Sequence, residues 1–112
     1  MQSLAVVAGQ FGVWVSVIEP GAVASEFTAS ATRPGDPGPY AGLLAAYLAR
    51  TRAVFASAQP AQEAGAAIAG AATSQAYRFR WQTSSQAAAF AGVSLADVDG
   101  ERVSTLTRTW IS

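Results

Sequence analysis

A proline, a glycine and a serine follow an apolar segment in the sequence VSVIEPGAVASEF, residues 15–27. Pro20 cannot continue a strand ladder, and Gly21 permits backbone conformations closed to other residues. Ser25 places a hydroxyl four residues beyond the glycine. By themselves Pro20 and Gly21 favour a plain strand-ending turn over a binding site at the strand end, and Ser25 could be the N-cap of a short helix.

Residue types that are missing exclude several other chemistries. The chain contains no cysteine, histidine or lysine, so it lacks thiolate metal ligands, disulfides and the commonest general base. Asp97, Asp99 and Glu101 do not have the spacing of a calcium loop, and we expect no metal site. Seven arginines balance seven acidic residues without forming a basic stripe, so neither nucleic acid nor an anionic membrane is an expected partner.

Composition favours a single small globular unit. The chain has 112 residues, of which 51% are apolar, enough to form a core. The longest apolar runs, LAVVAG and LLAAYLA, are far shorter than the ~18 residues of a membrane span. The expectation is a cytoplasmic protein that does not enter a membrane.

The pattern along the chain alternates between helices and strands. It predicts a helix that stops at Gly12, a strand over residues 13–18 that is apolar on both faces, and a long Pro- and Gly-rich loop. A helix over residues 39–57, a second one that starts near Pro60, and the short strand YRFRWQ follow, with Arg78 and Arg80 on a solvated face. The last part predicts a short helix and a final helix or strand-like tail. This order favours a parallel α/β sheet, although two strands are few for an independent sheet.

Residues 3–27, SLAVVAGQFGVWVSVIEPGAVASEF, resemble the segment of short-chain dehydrogenase/reductases that follows the catalytic tyrosine and lysine. Phe11, Gly12, Val13 and Val15 match the helix exit and the buried strand of that family. The Pro-Gly with a hydroxyl residue four positions later matches its motif at Pro20, Gly21 and Ser25. PAQEAGAAIAGA and YRFRWQ are similar to the family's later helix and strand, so the resemblance covers essentially the whole chain.

The resemblance implies a nicotinamide contact at the strand end. By position, the Val23 backbone would meet the carboxamide of NAD or NADP. The Ser25 hydroxyl would bind the carboxamide or a nearby phosphate, and Pro20 and Gly21 would shape the wall. Ser25 stands where threonine is commoner in the family, and the hydroxyl is retained.

The chain departs from the family in its catalytic machinery. No Gly-rich pyrophosphate turn follows a strand, and without lysine none of Tyr40, Tyr47 and Tyr77 matches the family's catalytic tyrosine. We therefore expect no catalytic residue in this chain. The proton donor and most of the cofactor site are expected upstream of Met1.

Together these features predict the C-terminal portion of one Rossmann-type, doubly wound parallel sheet, with two strands plus helices in residues 1–112. Residues 1–27 would hold the helix end, the strand and the Pro-Gly wall, residues 28–58 the substrate loop or lid, and residues 59–112 the last helix–strand unit and tail. The implied activity is NAD(P)-dependent oxidoreduction of a small-molecule carbonyl/alcohol pair, in a protein that is homo-oligomeric when complete and inactive as this chain alone. The alternative is a non-catalytic α/β remnant that acts as an interaction module.

Overall fold

The computed structural model describes residues 1–30 and 35–112 of the chain. Within those residues there are six α-helices and four short strands. The helices are α1 (Gln2–Gly9), α2 (Phe27–Ser30), α3 (Ala41–Ala56), α4 (Ala61–Ala72), α5 (Ser85–Leu95) and α6 (Glu101–Arg108). The strands are β1 (Val17–Glu19), β2 (Val23–Ala24), β3 (Gln59–Pro60) and β4 (Arg80–Gln82). The predicted α/β class is confirmed, whereas β2 and β3 were not anticipated.

The two predicted strands pair in parallel, as the alternation of helices and strands indicates. In the register of β1 with β4, Ile18 lies opposite Trp81 and Glu19 opposite Gln82. β2 and β3 form a second parallel pair, in which Val23 lies opposite Gln59. Because parallel strands end at the same edge, the carboxyl ends of β1 and β4 lie together.

β1 is shorter than the sequence predicts. The expected strand covered residues 13–18 with both faces buried, but the ladder begins only at Val17. Val13 and Trp14 are 54% and 56% exposed, and every residue of β1 is half-buried. The β-branched pattern was interpreted as a covered central strand, and no described element covers both faces of this one.

Side-chain contacts hold the segment before β1 in place of a ladder. The Ser16 hydroxyl donates to the Arg78 carbonyl at 2.8 Å, and the Tyr77 hydroxyl donates to the Val15 carbonyl at 3.2 Å. The rings of Trp14 and Tyr77 also lie 5.8 Å apart between centroids. The two segments therefore run side by side before their backbones pair.

Local sequence accounts for the helix ends. Gly12, at the exit of α1, has φ +72°, a conformation that favours glycine. The Ser84 hydroxyl accepts the Ala87 N–H at 3.2 Å and so caps α5. The first turn of α6 is capped by Asp97, whose carboxylate accepts the N–H groups of Val103 at 2.8 Å and Arg102 at 3.0 Å. The bond from Val103 is the main cause of the lowered pKa of Asp97.

The described residues bury little side-chain surface. Only Ala64, Thr83 and Ala87 are buried among them, and none of these is completely shielded from solvent. The accessible surface is 8227 Å², compared with about 5,800 Å² for a compact protein of this mass. The radius of gyration is 17.5 Å, compared with roughly 13 Å for a compact chain of similar length. The elements form, but they do not close around a large core.

No helix in the described ranges combines the length and the apolar character needed to cross a membrane.

Candidate functional site

A cavity of about 550 Å³ lies at the carboxyl ends of β1 and β4. Pro20 and Gly21 line it directly after β1. The rest of its wall is mostly apolar and is formed by side chains from α3, α5 and the C-terminal segment: Val54, Phe90, Leu95 and Trp110. Its volume is within the ~300–1,000 Å³ range of small-molecule sites, so the strand end identified from the sequence borders a cavity large enough for a small molecule.

An ion pair stands at the polar end of the cavity. Arg80 Nη1 donates to Glu19 Oε1, and Gln82 Nε2 donates to Glu19 Oε2 at 2.6 Å. The in-register pairing of β1 and β4 brings these three side chains together. The prediction of a solvated face was therefore wrong for Arg80, which is half-buried in a cross-strand pair. It was right for Arg78, an exposed residue whose guanidinium lies 4.7 Å from the Trp81 ring centroid.

Gly21 is packed against the beginning of α5. A Cβ atom built on Gly21 would lie 3.2 Å from Ser84 Oγ and 3.6 Å from the Cβ of Ala87. Ser84 cannot move away freely, because its hydroxyl caps α5. The close packing against α5 thus favours glycine at position 21, in addition to the cofactor wall that the resemblance implies.

Val23 lies in β2 and does not line the cavity. The Gln59 N–H donates to the carbonyl of Ala22 at 2.9 Å. Since alternate residues of a strand direct their backbone groups to opposite edges, the N–H and carbonyl of Val23 point away from β3. The pairing of β2 with β3 therefore leaves these two backbone groups unused.

Ser25 is exposed and stands just before α2. Its hydroxyl accepts the Phe27 N–H at 3.4 Å, which is long for such a bond. A serine hydroxyl also has a donor and a second acceptor site, which this contact does not use. The helix-start role is therefore present in weak form, and it does not compete with a ligand contact.

The four predicted site residues separate into two pairs. Pro20 and Gly21 border the cavity, whereas Val23 and Ser25 continue along the chain beyond it. Sequence reasoning missed Glu19, Arg80 and Trp110 as lining residues. The register of the two strands, had it been assigned, would have placed the glutamate beside the arginine.

The predicted substrate lid, residues 28–58, is only partly described, because residues 31–34 lie outside the described ranges. In the part that is described, α3 contributes Val54 to the cavity wall. Tyr40 and Tyr47 are 68% and 46% exposed and do not line the cavity.

Among the described residues no cluster of three or more His, Cys, Asp or Glu side chains is placed to hold a metal ion. The groups that the resemblance assigns to the nicotinamide carboxamide are the backbone of Val23 and the hydroxyl of Ser25. These groups fit an amide, which both donates and accepts hydrogen bonds.

No protein-family model matches the chain, and a search of curated proteins finds no match.

Proposed function

We propose that this chain is the C-terminal portion of an NAD(P)-dependent short-chain oxidoreductase of Rossmann type that acts on a carbonyl/alcohol pair. The observation that carries the proposal is the position of Pro20 and Gly21. They follow a strand that pairs in parallel with β4, and they border a cavity at the shared carboxyl edge. Ligands of open α/β sheets bind at this edge.

The proposed roles of the residues follow from their chemistry. Pro20 and Gly21 would form one wall beside the flat nicotinamide ring. The Val23 backbone and the Ser25 hydroxyl would fix the carboxamide and so orient the ring. When bound, the cofactor supplies the hydride chemistry, and this portion of the chain supplies orientation.

Proton transfer would depend on residues outside this chain. Lysine and histidine are absent from the sequence, and none of the tyrosines lines the strand-end cavity. The tyrosine–lysine pair and the pyrophosphate turn of the family would come from sequence that precedes Met1. The small buried core of the described residues supports this view, because a second part of the sheet would cover surface that is now exposed.

The test uses this chain joined to the N-terminal half of a short-chain dehydrogenase. Ser25→Ala removes one neutral hydrogen bond, worth about 0.5–1.5 kcal/mol. Cofactor affinity or hydride transfer should therefore fall about 2- to 13-fold, whereas Ser25→Thr should change little because the hydroxyl remains.

Ser30→Ala and Ser57→Ala are the matched controls. Each removes a hydroxyl that bonds a local backbone carbonyl, that of Phe27 and that of Val54 respectively. Equal effects of Ser25→Ala and these controls on both affinity and turnover would leave Ser25 as a helix-start residue only, and the nicotinamide assignment would be wrong.

A second candidate, a non-catalytic interaction module, is favoured by one observation. Large apolar side chains of α1 and the segment after it are exposed, with Phe11 at 80% and Val6 at 67%. Such surface is typical of protein contacts. Stable association with an unrelated protein, unaffected by NADH or NADPH, would support this candidate over the oxidoreductase.

A further inference from the structure

The strand-end cavity has an apolar wall that no described residue covers. Phe90 and Leu95, both on α5, line the cavity and are 44% and 59% exposed. Val54 and Trp110 extend the wall on the α3 side. A ligand that fills the cavity would remove this apolar surface from water, which is the main favourable term in binding of apolar molecules.

The polar end of the cavity offers hydrogen-bond donors. Both carboxylate oxygens of Glu19 already accept hydrogen bonds, from Arg80 and from Gln82. The guanidinium of Arg80 has five N–H donors and no acceptor. Its Nη1 donates to Glu19, and among the described residues its other N–H groups donate to no protein acceptor. A ligand that reaches this end would therefore need an acceptor group, and a carboxylate matches a guanidinium in geometry and charge.

We propose that the cavity binds a small apolar molecule that carries a carboxylate. The carboxylate lies on the Arg80 guanidinium, and the hydrocarbon part packs on Phe90 and Leu95. This proposal does not rest on the oxidoreductase function. Pro20 and Gly21 line this cavity and are also the proposed wall beside the nicotinamide ring, whereas Val23 and Ser25, the proposed carboxamide contacts, do not line it. The two proposals are tested at different residues, Arg80 and Phe90 here and Ser25 for the cofactor, so either proposal can fail while the other stands.

Decanoate and decyltrimethylammonium are suitable probes, because they share a hydrocarbon chain and carry opposite charges. Each is titrated into the 112-residue chain below its micelle concentration. Calorimetry gives the affinity. The tryptophan fluorescence change reports on the site only where Trp110→Phe removes it, because Trp110 lines the wall whereas Trp14 and Trp81 do not. Decanoate should bind at least about 10-fold more tightly than decyltrimethylammonium, since its carboxylate makes a charge-assisted hydrogen bond.

Arg80→Gln should abolish this preference. Arg78→Gln is the matched control, because it removes the same charge from an exposed residue that does not line the cavity. Since Arg80→Gln also removes the partner of Glu19, a second variant keeps the test independent of folding. Glu19→Gln releases Arg80 from its ion pair and should strengthen decanoate binding. Equal affinity for the two probes, or equal effects of Arg80→Gln and Arg78→Gln in folded protein, would overturn the proposal.

The apolar wall is tested by truncating one aromatic side chain. Phe90→Ala should weaken decanoate about 10-fold, because a buried phenylalanine contributes strongly to apolar binding. Phe11→Ala is the control, since Phe11 is exposed and lies outside the cavity. A larger loss with Phe11→Ala would place the probe on the α1 surface and refute the cavity site. Sedimentation measures self-association with and without decanoate. If decanoate still weakens self-association in Arg80→Gln, a second copy of the chain covers the cavity, and the proposal would also be refuted.

Discussion

The side chains at the two ends of β1 differ in how many contacts they make with the rest of the chain. At its carboxyl end, Glu19 is held by two side-chain partners and Gly21 packs against the cap of α5. At its amino end, the apolar side chains of α1 and the following segment face outward. This N-terminal apolar surface consists of Leu4, Val6, Val7, Phe11, Val13 and Trp14, all at least half exposed.

The difference concerns where each region finds its contacts. The strand-end region, residues 17–24 and 80–87, is connected by bonds between residues about 60 positions apart, such as Arg80 with Glu19. The N-terminal apolar surface has the side-chain pattern of a buried surface, but no described element covers it. Because hydrophobic burial is the dominant favourable term in folding, we expect the N-terminal apolar surface to depend on a further segment or partner, whereas the strand-end region is already connected by polar contacts within this chain.

The largest expected effect concerns activity, and it tests whether the strand-end region needs a further part of the protein for catalysis. The isolated chain should not reduce carbonyl compounds with NADH or NADPH. Loss of a general acid alone costs roughly 10²–10⁴-fold in rate, and the chain contains no lysine, so it lacks the tyrosine–lysine pair of short-chain dehydrogenase/reductases. Steady-state absorbance assays of cofactor oxidation measure this. If the isolated chain turned over substrate at a rate typical of an enzyme, this prediction would be contradicted.

The N-terminal apolar surface should cause the isolated chain to self-associate. The double variant Val7→Ser/Phe11→Ser should weaken this association at least about 10-fold, because each large apolar side chain contributes of order 1.5–3 kcal/mol when buried. Sedimentation velocity measures the change. Val98→Ser is the control, since Val98 is fully exposed and lies between α5 and α6, outside the N-terminal apolar surface. A monodisperse wild-type monomer with a sharp thermal transition would show that the surface needs no cover.

Gly21→Ala should destabilise the strand-end region by about 0.5–2 kcal/mol, the usual value of an N-cap. The added methyl would meet Ser84 Oγ at 3.2 Å and displace it from the Ala87 N–H. Urea unfolding measures the free energy. In a Ser84→Ala background the same substitution should cost less, because the cap has already been lost.

Gly65→Ala provides the matched control for this cycle. Gly65 is inside α4, and a Cβ there would meet nothing within 4 Å, so the substitution should stabilise the chain by about 0.5–1 kcal/mol. Additive effects of Gly21→Ala and Ser84→Ala would show that the close approach of the two residues has no energetic consequence.

The smallest effect concerns pH and the cap of α6, which packs on α5. The bond from the Val103 N–H, with that from the Arg102 N–H, lowers the pKa of Asp97 below its ordinary value of 3.8. The unfolded chain therefore binds the proton more readily, and this contribution to stability is present above pH 3.8 and disappears as the pH falls through the folded pKa.

Asp97→Asn should remove that part of the pH dependence, as measured by chemical unfolding between neutral and acidic pH. Asp36→Asn is a suitable control, because Asp36 makes a single local bond to the Gly38 N–H. An unchanged pH profile in Asp97→Asn would show that the capping bonds do not depend on the charge.

The contrast between the two regions also explains what the sequence could predict. The apolar and β-branched periodicity predicted the helices and the parallel pair of strands, because local patterns carry that information. It overestimated β1, because VWVSVI has a composition suited to a covered strand whether or not a covering element is present. The length of β1 depends on which parts of the chain pair with it or cover it.

The candidate site was predictable only along one stretch of chain. Pro20, Gly21 and Ser25 are close in sequence, so their relation to the strand end could be inferred directly. The pairing of Glu19 with Arg80 spans 61 positions and depends on the register of β1 with β4, which composition does not encode. The contact between Gly21 and Ser84 is of the same kind.

Sequencing the messenger RNA upstream of the Met1 codon tests the central proposal most directly. The proposal requires an open reading frame that continues upstream and encodes a Gly-rich turn after a strand, followed by a tyrosine with a lysine four residues later. Those residues would supply the pyrophosphate site and the proton donor that this chain lacks. In-frame stop codons, with neither motif upstream, would contradict the oxidoreductase and leave the interaction module as the better account.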